Sequence, residues 1–75
     1  MTKADVLELL TSMESICVDE AADVLGIARP TMSMALLRLT RHGLATRWRE
    51  GADPRIRYAI SPRGLDRLAY LTGRT

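Results

Sequence analysis

The chain has 75 residues, one cysteine, one histidine and a formal net charge of +2. That length allows a single domain over residues 1–75, with a core small enough for a partner copy to matter to its stability. The lone Cys17 excludes an internal disulfide, and with only His42 beside it no metal-ligand set can be assembled, so no cofactor is expected. Met1 to Ser12 is acidic and amphipathic, not a basic start followed by an apolar run, and no stretch reaches membrane-spanning length. A cytoplasmic protein without membrane contact is expected.

Thr2 followed by Asp5 has the form of a capping box, and Val6, Leu7, Leu10 and Met13 recur at helical spacing. This predicts a first helix from about Lys3 to Ser12 whose apolar stripe needs a partner. A second helix begins near Val18, with Asp19 and Glu20 in its first turn, where the helix dipole favours negative charge. It stops at the turn Gly26-Ile27-Ala28. A third helix over 29–42 opens on Arg29-Pro30, where a proline removes no intrahelical bond, and ends at Gly43 after Arg41 and His42. Two short helices that cross steeply need a small residue at their contact and a glycine at the chain reversal. Ala22 and Gly26 supply them, at helix-turn-helix spacing.

Beyond Gly43 the apolar period changes from helical to alternating. Leu44, Thr46 and Trp48 alternate with Ala45, Arg47 and Arg49; after the turn Gly51-Ala52-Asp53-Pro54, Ile56, Tyr58 and Ile60 alternate with Arg55, Arg57 and Ala59. The pattern predicts a β-hairpin over 44–60, with one apolar face holding Trp48 and Tyr58 and one arginine-rich face. Ser61-Pro62 supplies an N-cap and an N1 proline for a last helix that turns Leu65, Leu68 and Leu71 or Ala69 inward. Thr72-Gly73-Arg74-Thr75 reads as a frayed tail.

Helix, helix-turn-helix, two-stranded wing, helix is the order of a winged helix-turn-helix: a mainly helical α+β domain with a three-helix core, a β-hairpin wing and a short C-terminal helix. The stretch Val18-Asp19-Glu20-Ala21-Ala22 to Gly26-Ile27, with Leu39, Gly43-Leu44, Asp53-Pro54-Arg55-Ile56-Arg57 and Ile60-Ser61-Pro62-Arg63-Gly64, resembles the DNA-binding core of the MarR-type transcription regulators. That family's wing carries an Asp-x-Arg step, matched by Asp53 and Arg55. A Leu-Thr-x-x-Gly step follows, matched with conservative changes by Ile60, Ser61 and Gly64. The resemblance covers nearly the whole chain. It implies a regulator whose Arg55 reaches a minor groove while Asp53 orients it. The family dimerises through long helices at both ends, and this chain has only a short first helix and a short stretch beyond Ser61, so that arrangement does not carry over.

Charge is divided along the chain. Residues 1–28 hold Lys3 against Asp5, Glu8, Glu14, Asp19, Glu20 and Asp23, a net −5, whereas residues 29–75 hold ten arginines against Glu50, Asp53 and Asp66, a net +7. A basic surface made by the second half suits a polyanion, and the planar fork of arginine suits phosphates and guanine edges. With Met32, Ala35, Leu36 and Leu39 turned inward, the third helix presents Arg29, Pro30, Thr31, Ser33, Met34, Leu37, Arg38 and Arg41. Arg29 and Ser33 are the expected base contacts, and Thr31 and Arg38 the phosphate contacts. Met34 and Leu37 suit either thymine methyls or a neighbouring subunit. On the wing, Arg47, Arg55 and Arg57 complete the expected DNA face.

No Gly-rich phosphate loop is present, and His42 has no acid or nucleophile beside it, so an enzyme is not expected. A winged helix used for protein interaction, or for RNA and unusual duplexes, remains as an alternative. The arginine-rich wing argues against the first, and the lack of groove-facing aromatics against the second. The expected protein is a sequence-specific double-stranded DNA-binding regulator, a repressor, with the third helix in a major groove and the wing in the adjacent minor groove. It is expected to act as a homodimer through the first and last helices, by way of apolar side chains among Val6, Leu9, Leu10, Leu68 and Leu71.

Overall fold

The computed structural model describes residues 1–73. Its elements are α1 (Lys3–Thr11), α2 (Val18–Leu25), α3 (Arg29–Arg41), β1 (Ala45–Arg49), β2 (Ile56–Ile60) and α4 (Pro62–Thr72). The capping box closes α1: the Asp5 amide donates to Thr2 Oγ1 at 3.2 Å and the Thr2 amide to Asp5 Oδ2 at 2.7 Å. α1 is the hub of the core. It buries Val6, Leu7, Leu9 and Leu10 and packs against α4, α3 and β2. Met13, expected on the same stripe, lies beyond the helix end and is exposed. α2 stops where Gly26 takes a left-handed conformation (φ 66°), which sends the chain into α3 with Met32, Leu36 and Leu39 inward as predicted.

The wing folds with one strand in the opposite phase from that expected. Residues directly opposite in an antiparallel pair share a face. The register pairs Ala45 with Ile60, Arg47 with Tyr58 and Arg49 with Ile56, while Thr46 meets Ala59 and Trp48 meets Arg57. Ala45, buried beside Leu44, sets the inward phase of β1, and a one-residue change of phase moves every side chain to the other face. Trp48 therefore sits away from Tyr58, half-buried on the Arg57 side, with its Nε1 donating to Glu50 Oε1 at 3.2 Å. Arg47 and Arg49 share the face of Ile56 and Tyr58 instead of opposing it.

β2 also pairs on its other side. The amide of Ile16 donates to the Tyr58 carbonyl at 2.9 Å and the Tyr58 amide returns a bond to the Ile16 carbonyl at 2.8 Å, a single bridge that fastens the α1–α2 connection to the wing.

α4 closes the base of the wing from below. Ser61 Oγ accepts from the Gly64 amide at 3.0 Å and donates to the Gly43 carbonyl at 2.6 Å, joining the α4 cap to the turn that ends α3. Gly64 is where α4 touches the wing: a Cβ there would stand 2.1 Å from the Leu44 carbonyl oxygen and 2.6 Å from Ile60 Cγ1. The inward row of α4 is thus Gly64 and Leu68. Leu65, expected inward, is 50% exposed because the close approach at Gly64 turns it to the flank; of the alternatives Leu71 and Ala69, Ala69 is half-buried and Leu71 is 43% exposed. Thr72 ends α4 and Gly73 caps it at φ 71°, so this part of the expected frayed tail is ordered into the helix end. Arg74 and Thr75 lie outside the described residues. Among the described residues no helix is long and apolar enough to cross a membrane.

Candidate nucleic-acid interface

The N-terminal half of α3 and the concave face of the wing enclose an open groove of about 370 Å³. α3 contributes Arg29, Ser33 and Leu37; the wing contributes Arg47, Pro54, Arg55, Ile56 and Tyr58; the start of α2 closes the end with Cys17, Val18 and Asp19. The phase of β1 accounts for this composition. Because Arg47 shares the face of Tyr58, both residues line the groove. Cys17 is buried, as its apolar role requires.

Arg29 is exposed at the first position of α3 and pairs with Asp19 of α2. Pro30 and Thr31 are exposed beside it, Ser33 is half-buried in the groove, and Met34 is 45% exposed. Leu37, expected outward, is half-buried as part of the groove floor. Arg38 lies on the other flank of α3, where it lines a separate hollow with Lys3, Val6 and Ala35. The groove therefore gathers Arg29, Ser33, Arg47 and Arg55, and leaves Arg38 on the shoulder.

At the wing tip, Asp53 holds Arg55 by three bonds. Its Oδ1 accepts from the Arg55 amide at 2.9 Å and from Nε at 3.2 Å, and its Oδ2 accepts from Nη2 at 2.9 Å. These charge-assisted bonds, from the Arg55 side chain first and its amide second, hold the Asp53 carboxyl down at about 2 and raise the Arg55 guanidinium above its ordinary value. The fork fixes the direction of Arg55 while its side chain stays 58% exposed.

Arg57 does not join the groove. Its Nε and Nη2 donate to Ser15 Oγ at 3.1 and 2.9 Å, Nη2 also reaches the Ser15 carbonyl at 3.0 Å, and Nη1 meets Glu20 Oε1 at 3.0 Å. The side chain is 20% exposed. β2 turns Arg57 to the face that holds Trp48, where Ser15 of the α1–α2 connection and Glu20 of α2 take its donors. Glu20 also accepts from the Cys17 amide at 3.2 Å, and its carboxyl is held below the usual range by bonding with Cys17 first and Arg57 second. Sequence reasoning missed Ser15 and Glu20 as partners of Arg57. They lie 42 and 37 positions away, beyond any local spacing signal.

Comparison with solved structures places this geometry. YusO of Bacillus subtilis superposes with a TM-score of 0.88 at 19% identity, covering 95% of this chain and 51% of that one. A DNA complex of MepR from S. aureus gives 0.84 at 22% identity, over 95% and 60% of the two chains. The transcriptional regulator BldR of Sulfolobus solfataricus gives 0.81 at 20% identity, over 91% and 49%.

The fold is a winged helix-turn-helix. YusO, MepR and BldR are MarR-family winged-helix regulators, in line with the resemblance of the Asp53-Pro54-Arg55 and Ile60-Ser61 steps. This winged helix spans about half the length of those chains. No protein-family model and no curated protein matches the sequence.

Proposed function

We propose that this winged helix is a sequence-specific double-stranded DNA-binding regulator of the MarR type, acting in the cytoplasm as a repressor. The observation that carries the reading is the convergence of Arg29 from α3, Arg47 from β1 and Arg55 from the wing tip on one groove, with Arg55 aimed by Asp53. The neighbour solved in complex with DNA shares the fold that positions them. α3 enters a major groove, where Arg29 and Ser33 read base edges and Met34 meets thymine methyls. Pro30 starts the helix at the groove edge. Thr31, Arg38 and Arg47 hold phosphates, which fixes register without reading sequence, and Arg55 enters the adjacent minor groove, whose narrow A·T tracts attract guanidinium.

Two copies on a pseudo-palindromic site would supply the contact area that one small domain lacks. Of the apolar side chains expected at the subunit contact, Val6, Leu9, Leu10 and Leu68 are buried within the domain, which leaves Leu71. Of the two terminal helices expected to meet a second copy, α4 keeps large apolar side chains exposed, at Leu65, Tyr70 and Leu71. Light scattering with and without DNA tests this part of the reading: a DNA-dependent or intrinsic dimer, lost in Leu71→Glu, is expected, and a monomer under all conditions overturns it.

Binding to DNA is tested by selecting a preferred duplex from a random pool and following its affinity by fluorescence anisotropy as salt is raised. The log-log slope should be steep, about −0.9 for each phosphate neutralised. A salt-insensitive association, or the absence of any enriched sequence, overturns the reading.

A further inference from the structure

Arg57 is turned away from the groove, and among the described residues its side chain makes the densest polar contact. Three of its nitrogens serve Ser15 Oγ, the Ser15 carbonyl and Glu20 Oε1, all within 3.1 Å. The next residue of β2, Tyr58, exchanges both of its backbone bonds with Ile16. Ser15, Ile16, Cys17 and Glu20 thus form one continuous seat for β2, and that seat is the entry to α2, the helix that carries α3 through the Gly26 turn. The carboxylates of the first turn of α2 divide the work: Asp19 pairs with Arg29 of α3, and Glu20 pairs with Arg57 of the wing.

We infer that Arg57 is a positioning residue: with Ser15 and Glu20 it forms a polar staple that fixes the angle of the wing to the helix-turn-helix, and so determines how far Arg55 stands from α3. The inference rests on the DNA-binding reading for its consequence and not for its geometry. Tyr58 and Ala45 root the inner part of the hairpin in the core, whereas its outer part, from Trp48 to Arg57, has few buried contacts to oppose a change of angle. Arg57 opposes it with a rigid planar fork whose two edges meet acceptors on different residues, which Lys cannot reproduce. Only a preferred site demands that α3 and the wing both be seated in register. A wing freed from this seat therefore loses discrimination before it loses attraction for phosphates, since the groove arginines are untouched.

The test compares Arg57→Gln, Arg57→Lys and Glu20→Gln with the parent protein, first without DNA. Trp48 is the only tryptophan and stands opposite Arg57 in the register, so its emission and its quenching by acrylamide report the surroundings of Arg57 directly. Amide hydrogen exchange at Ile16 and Tyr58 reports the bridge. Arg57→Gln should raise quenching and speed exchange at both amides while the far-ultraviolet spectrum of the helices is retained. Glu20→Gln should do so less, and Arg57→Lys should lie between the parent and Arg57→Gln.

With DNA, the ratio of preferred to random affinity should fall about tenfold in Arg57→Gln, the scale of one lost base-reading arginine, while binding to random duplex changes little. Arg57→Lys should recover part of that ratio. If Arg57→Gln does not fold, Glu20→Gln and Ser15→Ala carry the same readouts. Unchanged quenching and exchange in the folded variants overturn the staple. An equal loss on preferred and random DNA overturns its part in discrimination. If the parent protein binds no DNA, the DNA reading fails by itself, and the DNA-free measurements still decide whether Arg57 sets the wing.

Discussion

Two ion pairs of the wing, each a carboxylate with an arginine, work in opposite ways. At the tip, Asp53 and Arg55 are two residues apart and the Arg55 side chain remains 58% exposed. Just behind the tip, Glu20 and Arg57 are 37 residues apart and the Arg57 side chain is 20% exposed, enclosed by acceptors from another element. A local pair costs little chain entropy and aims a side chain outward; a long-range pair constrains where a whole strand lies. The tip pair presents a charge, and the pair behind it holds the strand that presents it.

The sharpest way to break this comparison is by glycine substitution at each end. Gly64→Ala at the base drives a Cβ to 2.1 Å from the Leu44 carbonyl, a backbone atom that cannot step aside, whereas Gly51 at the tip has open space around its Cβ direction and only a φ of 53° to oppose a side chain. Gly64→Ala should cost about 3 kcal/mol or prevent folding, as overpacking against fixed atoms does. Gly51→Ala should cost about 1 kcal/mol, the usual strain of a left-handed alanine. Urea unfolding measures both. Equal losses would mean that α4 is not what anchors the wing.

For DNA binding the order reverses, because the exposed groups matter there. Arg29→Ala should lose about 1 to 3 kcal/mol on the preferred duplex and much less on random sequence. Arg55→Ala should lose about tenfold on A·T-flanked sites and less on G·C-flanked ones, with only a small change in its unfolding midpoint because the tip is solvated. An equal loss on all duplexes would make either residue a phosphate contact. Anisotropy titrations with matched DNA pairs separate the outcomes.

A smaller effect is expected from the acid that faces Arg29. Asp19→Asn removes a negative charge from the end of the groove and releases Arg29 from its pair. Both partners are largely exposed, so stability should change by less than about 0.5 kcal/mol. Random duplex should bind a few-fold tighter, with a lower ratio of preferred to random affinity, if the pair keeps Arg29 from settling on any phosphate. Unchanged binding would show that the ion pair does not compete with DNA.

The sequence announced these elements wherever the signal was local. Thr2 and Asp5, Gly26, Gly43 and Ser61-Pro62 placed the helix ends to within about a residue, since caps and left-handed glycines act over three or four positions. Met32, Leu36 and Leu39 marked the inner face of α3 for the same reason. The wing was harder. Leu44 and Ala45 are both buried, so the alternation of β1 restarts at Ala45, and a strict two-residue count from Leu44 puts Trp48 and Arg47 on the wrong faces. Leu65 misled in the same way, because the residue that α4 turns inward is Gly64, which has no side chain for a hydrophobic pattern to register. Asp53 and Arg55 were legible as a pair two apart; Ser15, Glu20 and Arg57 were not, since only the folded chain brings them together.

The last and smallest effect separates the two ion pairs by pH. Asp53 has its carboxyl lowered from 3.8 to about 2 by its bonds to Arg55. A depressed folded value means that the contribution of the pair is complete above the unfolded value and is lost as the pH falls from about 4 through about 2. Glu20 is also lowered, so acid weakens both pairs in the parent protein. Replacing Asp53 by Asn removes one titration and leaves the other. The difference in unfolding midpoint between parent and Asp53→Asn should therefore be small and constant above pH 4 and should shrink below it. Carboxyl carbon shifts followed by NMR should show Asp53 still ionised at pH 3. If Asp53 titrates near 3.8 instead, its fork on Arg55 does not persist in solution, and the wing tip presents a free arginine where the comparison requires an aimed one.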